Sequence, residues 1–300
     1  MSARLTLGPL LFNWSPERRR DFYFAIADES EFDTVHLGEV VCVKRQLGSE
    51  KYLEAAIERL RAAGKEVVLS SLALITTTQE RLEATQLAGF ADEYLIEAND
   101  LSVTARLQGR AFMVGPLVNV YNEGTLATLV GMGAERVCLT AELPAATIRH
   151  MVACNLAQIE VQAFGRLPLA ISARCYHARA HELHKDGCRF VCDKDPDGMT
   201  VETLDGKKFL AVNGTQTMSY RYLRLLTETV ELMQAGVYSF RLWPHSCDMA
   251  AVARIYRDLL DTRLEAEQAA LDLSRLLPQA AFANGFLHSR EGAALVGAPA

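Results

Sequence analysis

The chain has 300 residues, of which 50% are hydrophobic and 23% are charged, so it has enough apolar material for a continuous core and is not expected to be disordered. Its formal net charge of −6 argues against a large nucleic-acid-binding surface. No run approaches the roughly 20 apolar residues of a membrane helix, and the amino terminus lacks the pattern of a secretory signal. These features predict a cytoplasmic protein with no transmembrane segment and no nucleic-acid partner.

Short runs rich in Val, Ile and Leu alternate along the chain with segments of helical periodicity, which is the pattern of parallel strands covered by helices. The eight predicted strands are Leu5–Leu11, Thr34–Gly38, Glu66–Leu72, Tyr94–Glu97, Phe112–Gly115, Arg136–Thr140, Ile159–Phe164 and Tyr238–Leu242. Helices are predicted near 16–28, 50–63, 78–90, 99–108, 122–133, 144–156, 218–235 and 247–265. Eight such pairs make a (β/α)8 TIM barrel, with a doubly wound open sheet as the alternative.

The absence of a linker predicts a single barrel domain over residues 1–300, interrupted by one long insertion. About seventy residues separate the seventh predicted strand from the eighth, far more than an ordinary loop of roughly two to six. Residues 165–217 are therefore predicted to form an elaborated loop. Within it, the stretch VETLDGKKFLAVNG predicts a β-hairpin that turns at Asp205-Gly206.

The insertion carries three of the seven cysteines of the chain, Cys175, Cys188 and Cys192, in a Cys-x12-Cys-x3-Cys spacing. They lie in a polar segment without helix or strand periodicity, whereas structural cysteines usually occur singly on apolar faces. An odd number of cysteines does not suit a disulfide framework. Thiolates hold iron–sulfur clusters and structural zinc, so the spacing predicts a metal site that needs one further ligand.

Two cysteines are candidates for that fourth ligand. Functional residues of barrels lie at the carboxyl ends of the strands, and both Cys42 and Cys247 follow a predicted strand. Barrel order alone does not choose between them. Zinc is the main competitor of an iron–sulfur cluster, because His177, His181 and His184 offer further ligands in the same insertion.

The sequence contains no recognisable hydrolytic centre. It has neither a His-Glu-x-x-His motif nor a Gly-x-Ser-x-Gly elbow. Glu39 and Glu97 follow or end predicted strands, where a carboxylate either performs acid–base chemistry or caps backbone donors. A hydrolase at the same barrel mouth and a scaffold whose insertion is pinned by zinc are the two alternatives to a redox protein.

Several motifs resemble, in order along the chain, those of the UbiV family, a branch of the collagenase-like peptidase superfamily. They are LGPLLFNW, HLGEVVCVKR, LIEANDL, NVYN, LPLAISARCYHAR followed by Cys-x3-Cys, LAVNGTQTMSY and a late NGF. They extend from Gly8 to Phe286. The resemblance implies a barrel that binds a [4Fe-4S] cluster through four cysteines, and it selects Cys42 over Cys247. The implied ligands are Cys42, Cys175, Cys188 and Cys192.

The same resemblance implies a function and partners. Members of this branch form a heterodimer with a homologous cluster-bearing protein, UbiU, and support oxygen-independent hydroxylation of ubiquinone precursors during anaerobic growth. A lipid-binding accessory protein takes part. The resemblance assigns no catalytic residue in this chain and leaves open which subunit performs the chemistry. A peptidase or hydrolase of the wider superfamily remains the alternative.

Overall fold

The computed structural model of the protein describes residues 3–46 and 50–297, so residues 1–2, 47–49 and 298–300 of the predicted domain lie outside it. The strands in the described part are β1 (Arg4–Leu7), β2 (Thr34–Gly38), β3 (Glu66–Ser70), β4 (Leu95–Ala98), β5 (Phe112–Val114), β6 (Ala134–Cys138), β7 (Gln158–Ile171), β8 (Met199–Glu202), β9 (Lys208–Asn213), β10 (Gln216–Arg224), β11 (Ser239–Leu242) and β12 (Phe282–Ala283).

Helices follow most of the strands. They are α1 (Pro16–Glu29), α2 (Glu50–Ala62), α3 (Thr78–Ala88), α4 (Leu101–Arg106), α5 (Glu123–Met132), α6 (Ala145–Ala153), α7 (Tyr176–Ala180), α8 (Thr227–Gln234), α9 (Met249–Leu260) and α10 (Ala266–Leu276). Polar caps satisfy free N–H groups at their starts: Ser15 accepts a hydrogen bond from the Arg18 N–H, and Asp100 accepts one from the Ser102 N–H. No helix in the described ranges is both long and apolar enough to cross a membrane.

The strands β1 to β7 and β11 form a closed parallel barrel. They pair in chain order, and β11 closes the circle by pairing with β1 on one side and with β7 on the other. All three residues of β5 are buried, as expected for a strand covered on both faces. The predicted (β/α)8 TIM barrel is therefore confirmed.

The predicted insertion between the seventh and eighth barrel strands is also confirmed, and it contains a small sheet of its own. The strand β7 runs for 14 residues, but beyond Phe164 it leaves the barrel and pairs in antiparallel fashion with β10. Next to β10 lie β9 and then β8, also antiparallel. The hairpin of β8 and β9 turns at Asp205-Gly206, as predicted, with the Gly206 N–H donating to the Thr203 carbonyl. The cysteine-bearing loops connect strands of this sheet, since they lie between β7 and β8.

The helix predicted near 218–235 is wrong in its first half. Residues 216–224 form the strand β10, and the helix α8 covers only Thr227–Gln234. The stretch is rich in Thr and Tyr, which favour strands, and β10 finds pairing partners on both edges. Strand pairing in the tertiary structure therefore decides the secondary structure of a segment whose local sequence pattern is ambiguous.

A network of charged side chains fills the barrel interior. The fully buried Arg241 contacts Glu160 Oε1 through Nε at 2.7 Å and Glu97 Oε1 through Nη2 at 2.6 Å. His36 and Ser70 both contact the second oxygen of Glu97, at 3.3 and 2.6 Å. Burial favours the neutral acids, but the Arg241 charge, His36 and the hydrogen bonds to the carboxylates together hold the pKa of both carboxyls below their usual range. We call these residues the interior charge network.

Candidate metal centre

Cys42 lies on the short loop that follows β2 at the barrel mouth. The Glu39 carboxylate accepts hydrogen bonds from the backbone N–H groups of Val41, at 3.0 Å, and Cys42, at 3.1 Å. The Cys42 carbonyl then accepts the backbone N–H of Arg45 at 3.0 Å. Glu39 is almost fully buried, so this candidate for acid–base catalysis acts here as a cap that fixes the loop.

An apolar cluster, which we call the apolar floor, packs against this loop. It consists of the buried side chains of Leu11, Val40, Val41 and Trp243, and Cys42 packs against it. The other sequence candidate for acid–base catalysis, Glu97, lies in the interior charge network and has no exposed surface. Neither carboxylate is therefore placed for acid–base chemistry at the surface of this loop.

Cys175 begins the short helix α7 in the insertion. Its side chain caps the helix, because Sγ accepts a hydrogen bond from the Ala178 N–H at 3.4 Å. The cysteine is buried, with 9% of its surface exposed. Backbone N–H groups that donate to sulfur are one of the means by which proteins tune iron–sulfur centres.

The segment between Cys188 and Cys192 turns sharply. Arg189 and Phe190 both adopt the left-handed backbone conformation, with φ of 49° and 56°. Each such residue other than glycine costs about 1 kcal/mol. Backbone strain of this kind is found mainly at functional sites, where the surrounding structure maintains it. The two cysteines therefore flank a strained stretch of the insertion.

The turn between β9 and β10, Asn213–Thr215, connects these loops, and we call it the hub turn. The Asn213 side chain donates to the Cys192 carbonyl at 2.9 Å. The Thr215 hydroxyl donates to the carbonyl of Val41 at 2.9 Å, across 174 positions of the sequence. The hub turn thus holds the backbone of Cys192 and the residue next to Cys42.

Two further contacts bring in the remaining cysteine segments. The carbonyl of Gly214 in the hub turn accepts the N–H of His177, two residues after Cys175, at 3.4 Å. Lys44 Nζ donates to the carbonyl of Lys185, in the turn that leads to Cys188, at 2.7 Å. The four cysteines that the resemblance implied as ligands therefore lie on loops that are hydrogen-bonded into one region.

Arg45 places a buried positive charge at the centre of this region. Its guanidinium donates to the Leu11 carbonyl at 2.9 Å and to Asn213 Oδ1 at 2.7 Å. Burial raises the pKa of the Cys42 and Cys192 thiols, and the Arg45 charge opposes that rise at both. A cation shared by two thiols favours their thiolate forms, which are the forms that bind metal.

The other cysteine at the mouth has different surroundings. Cys247 lies 3.6 Å from the Met249 sulfur, and burial together with the nearby Asp197 carboxylate raises its pKa to about 12. Of the three histidines in the insertion, His177 and His181 lie together with Asp195. Within the described residues, that trio is the only set of three or more histidine, cysteine or carboxylate residues whose ligand atoms all lie within 4.8 Å of one another.

A cleft of about 470 Å³ opens beside the Cys42 loop and the segment from Cys188 to Cys192. Four cationic side chains, one carboxylate and two aromatic rings line it: Arg18, Arg19, Lys44, Arg45, Asp193, Trp14 and Phe190. Its walls reach both parts of the candidate centre, because Lys44 comes two residues after Cys42 and Phe190 lies between Cys188 and Cys192. The cleft therefore offers an electropositive, partly aromatic space next to the candidate centre.

Replacing Gly214 by alanine is expected to disrupt this region. A Cβ there would lie 2.3 Å from Arg45 Nη2, and φ is +68°. Gly206 at the hairpin turn is the matched control, because its φ is +76° but nothing lies within 4 Å of an added Cβ. We expect Gly206→Ala to cost about 1–2 kcal/mol of unfolding free energy from backbone strain, and Gly214→Ala at least about 2 kcal/mol more, in denaturant titrations. Equal losses would contradict the role assigned to the hub turn.

Sequence reasoning missed two elements of this site. The hub turn appeared only as part of a motif, although its Asn-Gly pair is a turn signal, because the groups it contacts are distant in sequence. Asp195 has no local signal that makes it a neighbour of the histidines. Charged residues flank the cysteines in the sequence, but the burial of Arg45 depends on the fold.

Comparison with known proteins identifies the family. The model described as Peptidase family U32 matches residues 17–296. Among solved structures, dihydropteroate synthase (FolP) from Thermus thermophilus is similar with 14% identity and a TM-score of 0.42, covering 87% of this chain and 93% of that one. A tryptophan synthase complex from Pyrococcus furiosus is similar with 14% identity and a TM-score of 0.42, and the match covers 93% of this chain and 100% of that one. Because the family model matches nearly the whole chain, the protein belongs to Peptidase family U32, the collagenase-like peptidase family.

Proposed function

We propose that Cys42, Cys175, Cys188 and Cys192 bind a [4Fe-4S] cluster at the barrel mouth, and that the chain is a cytoplasmic subunit required for oxygen-independent hydroxylation of ubiquinone precursors. The observation that carries the proposal is the set of hydrogen bonds that gathers the four cysteine loops around the hub turn. The hydroxylation itself rests on the resemblance to the UbiV family.

The positions of the thiols do not match a single zinc ion held by three or more of these cysteines. Two sulfurs bound about 2.3 Å from one tetrahedral ion lie roughly 4 Å apart. Among the described residues, no three cysteine sulfurs lie within 4.8 Å of one another. A four-iron cluster binds each thiolate to a different iron, so it suits sulfurs that are more widely spaced.

The surroundings also suit such a cluster. When bound, it would supply one-electron chemistry that no side chain provides. The apolar floor would shield its inner side, the Ala178 N–H would donate to the Cys175 sulfur, and Arg45 would offset thiolate charge. The cationic cleft beside it would bind and orient an anionic substrate.

The proposed assembly is a heterodimer with a homologous cluster-bearing protein of the UbiU type. A lipid-binding accessory protein would present the ubiquinone precursor, because the precursor carries a long apolar chain. Both partners enter through the resemblance alone, and co-purification from cells grown without oxygen tests them. Recovery of the chain as a monomer under those conditions would argue against the heterodimer.

Anaerobic purification followed by metal and sulfide analysis tests the cofactor. We expect about four iron and four acid-labile sulfide per chain, with broad visible absorption that dithionite bleaches. Zinc in place of iron would indicate a zinc-pinned scaffold instead. Peptide cleavage by the metal-free protein would support the peptidase alternative and contradict the proposal.

Cells that make ubiquinone without oxygen test the pathway. We expect loss of the gene to lower ubiquinone in anaerobic cultures and leave aerobic cultures unchanged, as measured by mass spectrometry of lipid extracts. The wild-type gene should restore ubiquinone, and a Cys175→Ser gene should not. Full restoration of ubiquinone by the Cys175→Ser gene would show that the cellular role does not require the proposed cluster.

A further inference from the structure

A second group of ligand atoms lies beside the four cysteines but does not include them. It consists of His177, His181 and Asp195, whose ligand atoms all lie within 4.8 Å of one another. The two imidazole rings are stacked, with their centroids 5.5 Å apart. His177 has no exposed surface, and the Asp195 side chain is one-third exposed. The group is therefore partly open to solvent, through Asp195 and His181.

The ring of His177 is oriented by its backbone surroundings. Its Nδ1 lies 3.3 Å from the carbonyl oxygen of Val212, which can only accept a hydrogen bond. The proton of a neutral ring is therefore on Nδ1, and Nε2 presents a lone pair. Histidines that bind metals commonly have this arrangement, in which a carbonyl fixes the tautomer of the ligand.

The lone pair of His177 Nε2 faces another acceptor. Asp195 Oδ2 lies 3.0 Å away, yet Nε2 has no hydrogen-bond partner, so the carboxylate is not placed where an Nε2–H would donate to it. A cation between the two atoms would satisfy both. Two ligands about 2.0 Å from a tetrahedral ion lie roughly 3.3 Å apart, close to the observed separation.

We propose that His177, His181 and Asp195 form a mononuclear site for a divalent transition metal such as Zn²⁺, separate from the four cysteines. Two imidazoles and one carboxylate are ligands that suit such ions, and a water molecule would complete a tetrahedral shell.

The metal would link two segments of the insertion, the one that follows Cys175 and the one that follows Cys192. His177 follows Cys175 by two residues, and Asp195 follows Cys192 by three. An ion held by both would tie the segments that carry two of the cysteines. The proposal does not depend on what the cysteines bind, since none of its ligands is a cysteine.

Cobalt binding tests the site in the full chain, prepared without oxygen and with its iron content measured. Bound Co²⁺ should give visible absorption of a tetrahedral nitrogen and oxygen site, without the near-ultraviolet charge-transfer band of thiolate ligation. Excess Zn²⁺ should remove the signal. We expect His181→Ala to weaken Co²⁺ binding at least about 100-fold, since loss of a ligand should exceed the effect of losing an outer-shell partner.

His184→Ala is the matched control, because His184 lies in the same insertion but outside the trio. It should bind Co²⁺ like the wild type, and Asp195→Asn should bind it as weakly as His181→Ala. A thiolate charge-transfer band, equal affinity in His181→Ala, or no cobalt binding by the wild type would each overturn the proposal.

Discussion

Replacing Cys42 by alanine is expected to abolish the proposed iron–sulfur centre while leaving the barrel folded. Its thiol is the only proposed ligand outside the insertion, so three thiolates would remain for four irons. The side chain packs on the floor as a partly buried group, and its removal should cost at most about 2 kcal/mol of unfolding free energy. Iron per chain and visible absorption after anaerobic purification measure the effect, and circular dichroism checks the fold.

Cys247→Ala is the matched control for that variant. Cys247 is also a half-buried thiol at the mouth, but it lies beside Met249 and Asp197. We expect this variant to keep the full iron content. A complete centre in Cys42→Ala, or loss of iron from Cys247→Ala, would show that the fourth ligand has been assigned to the wrong loop.

Replacing Arg241 by methionine should destabilise the barrel more than any surface change. Methionine keeps much of the volume, but it leaves Glu97 and Glu160 buried without their counter-charge. Removing one partner of a buried ion pair typically costs about 3–5 kcal/mol, and here two carboxylates lose the same partner. Such a loss approaches the whole stability of an ordinary domain, so partial unfolding or poor expression is expected. Denaturant titration of Arg241→Met and of the charge-preserving Arg241→Lys gives the measurement.

An exposed ion pair provides the comparison. Arg149 lies 3.0 Å from Glu231, and both side chains are about half exposed. We expect Arg149→Ala to cost less than about 1 kcal/mol, because water screens such pairs. If Arg241→Met cost no more than Arg149→Ala, the interior charge network would contribute little to stability.

The contribution of Glu97 and Glu160 to stability should depend on pH with opposite sign in the wild type and in Arg241→Met. In the wild type, the pKa values of Glu97 and Glu160 are depressed, so their contribution is present above about pH 4.5 and is lost as the pH falls towards the folded-state values. In Arg241→Met, burial should raise both pKa values, and acid should then relieve the buried charges. The stability gap between the two proteins is therefore expected to narrow from pH 7 to pH 4.

The barrel was predictable because its strands are marked locally. Each is a short run of buried aliphatic residues between turn signals, and the alternation with helices is regular. The error at residues 218–235 arose where Tyr, Arg and Leu fit either period, and pairing with β7 and β9 decided the outcome. Arg241 had a weak signal of its own, since a charge within an otherwise apolar strand suggests a buried partner.

The candidate centre was predictable only in part. The three clustered cysteines follow from composition and spacing, but the choice of Cys42 came from the resemblance, because no local pattern relates it to the insertion. The contacts of Asn213 and Thr215 reach residues far away along the chain, and they exist only once the sheet of the insertion has docked. Contacts between residues so far apart in the sequence depend on the tertiary structure and have no local signal.

The hydrogen bond between Thr215 and Val41 joins the loop after an early barrel strand to the late insertion. A binding site divided in this way cannot form on the nascent chain while only its first part has left the ribosome. Any inorganic group shared by both loops can therefore be held by all of its ligands only after residue 215 has emerged and the insertion has docked on the barrel.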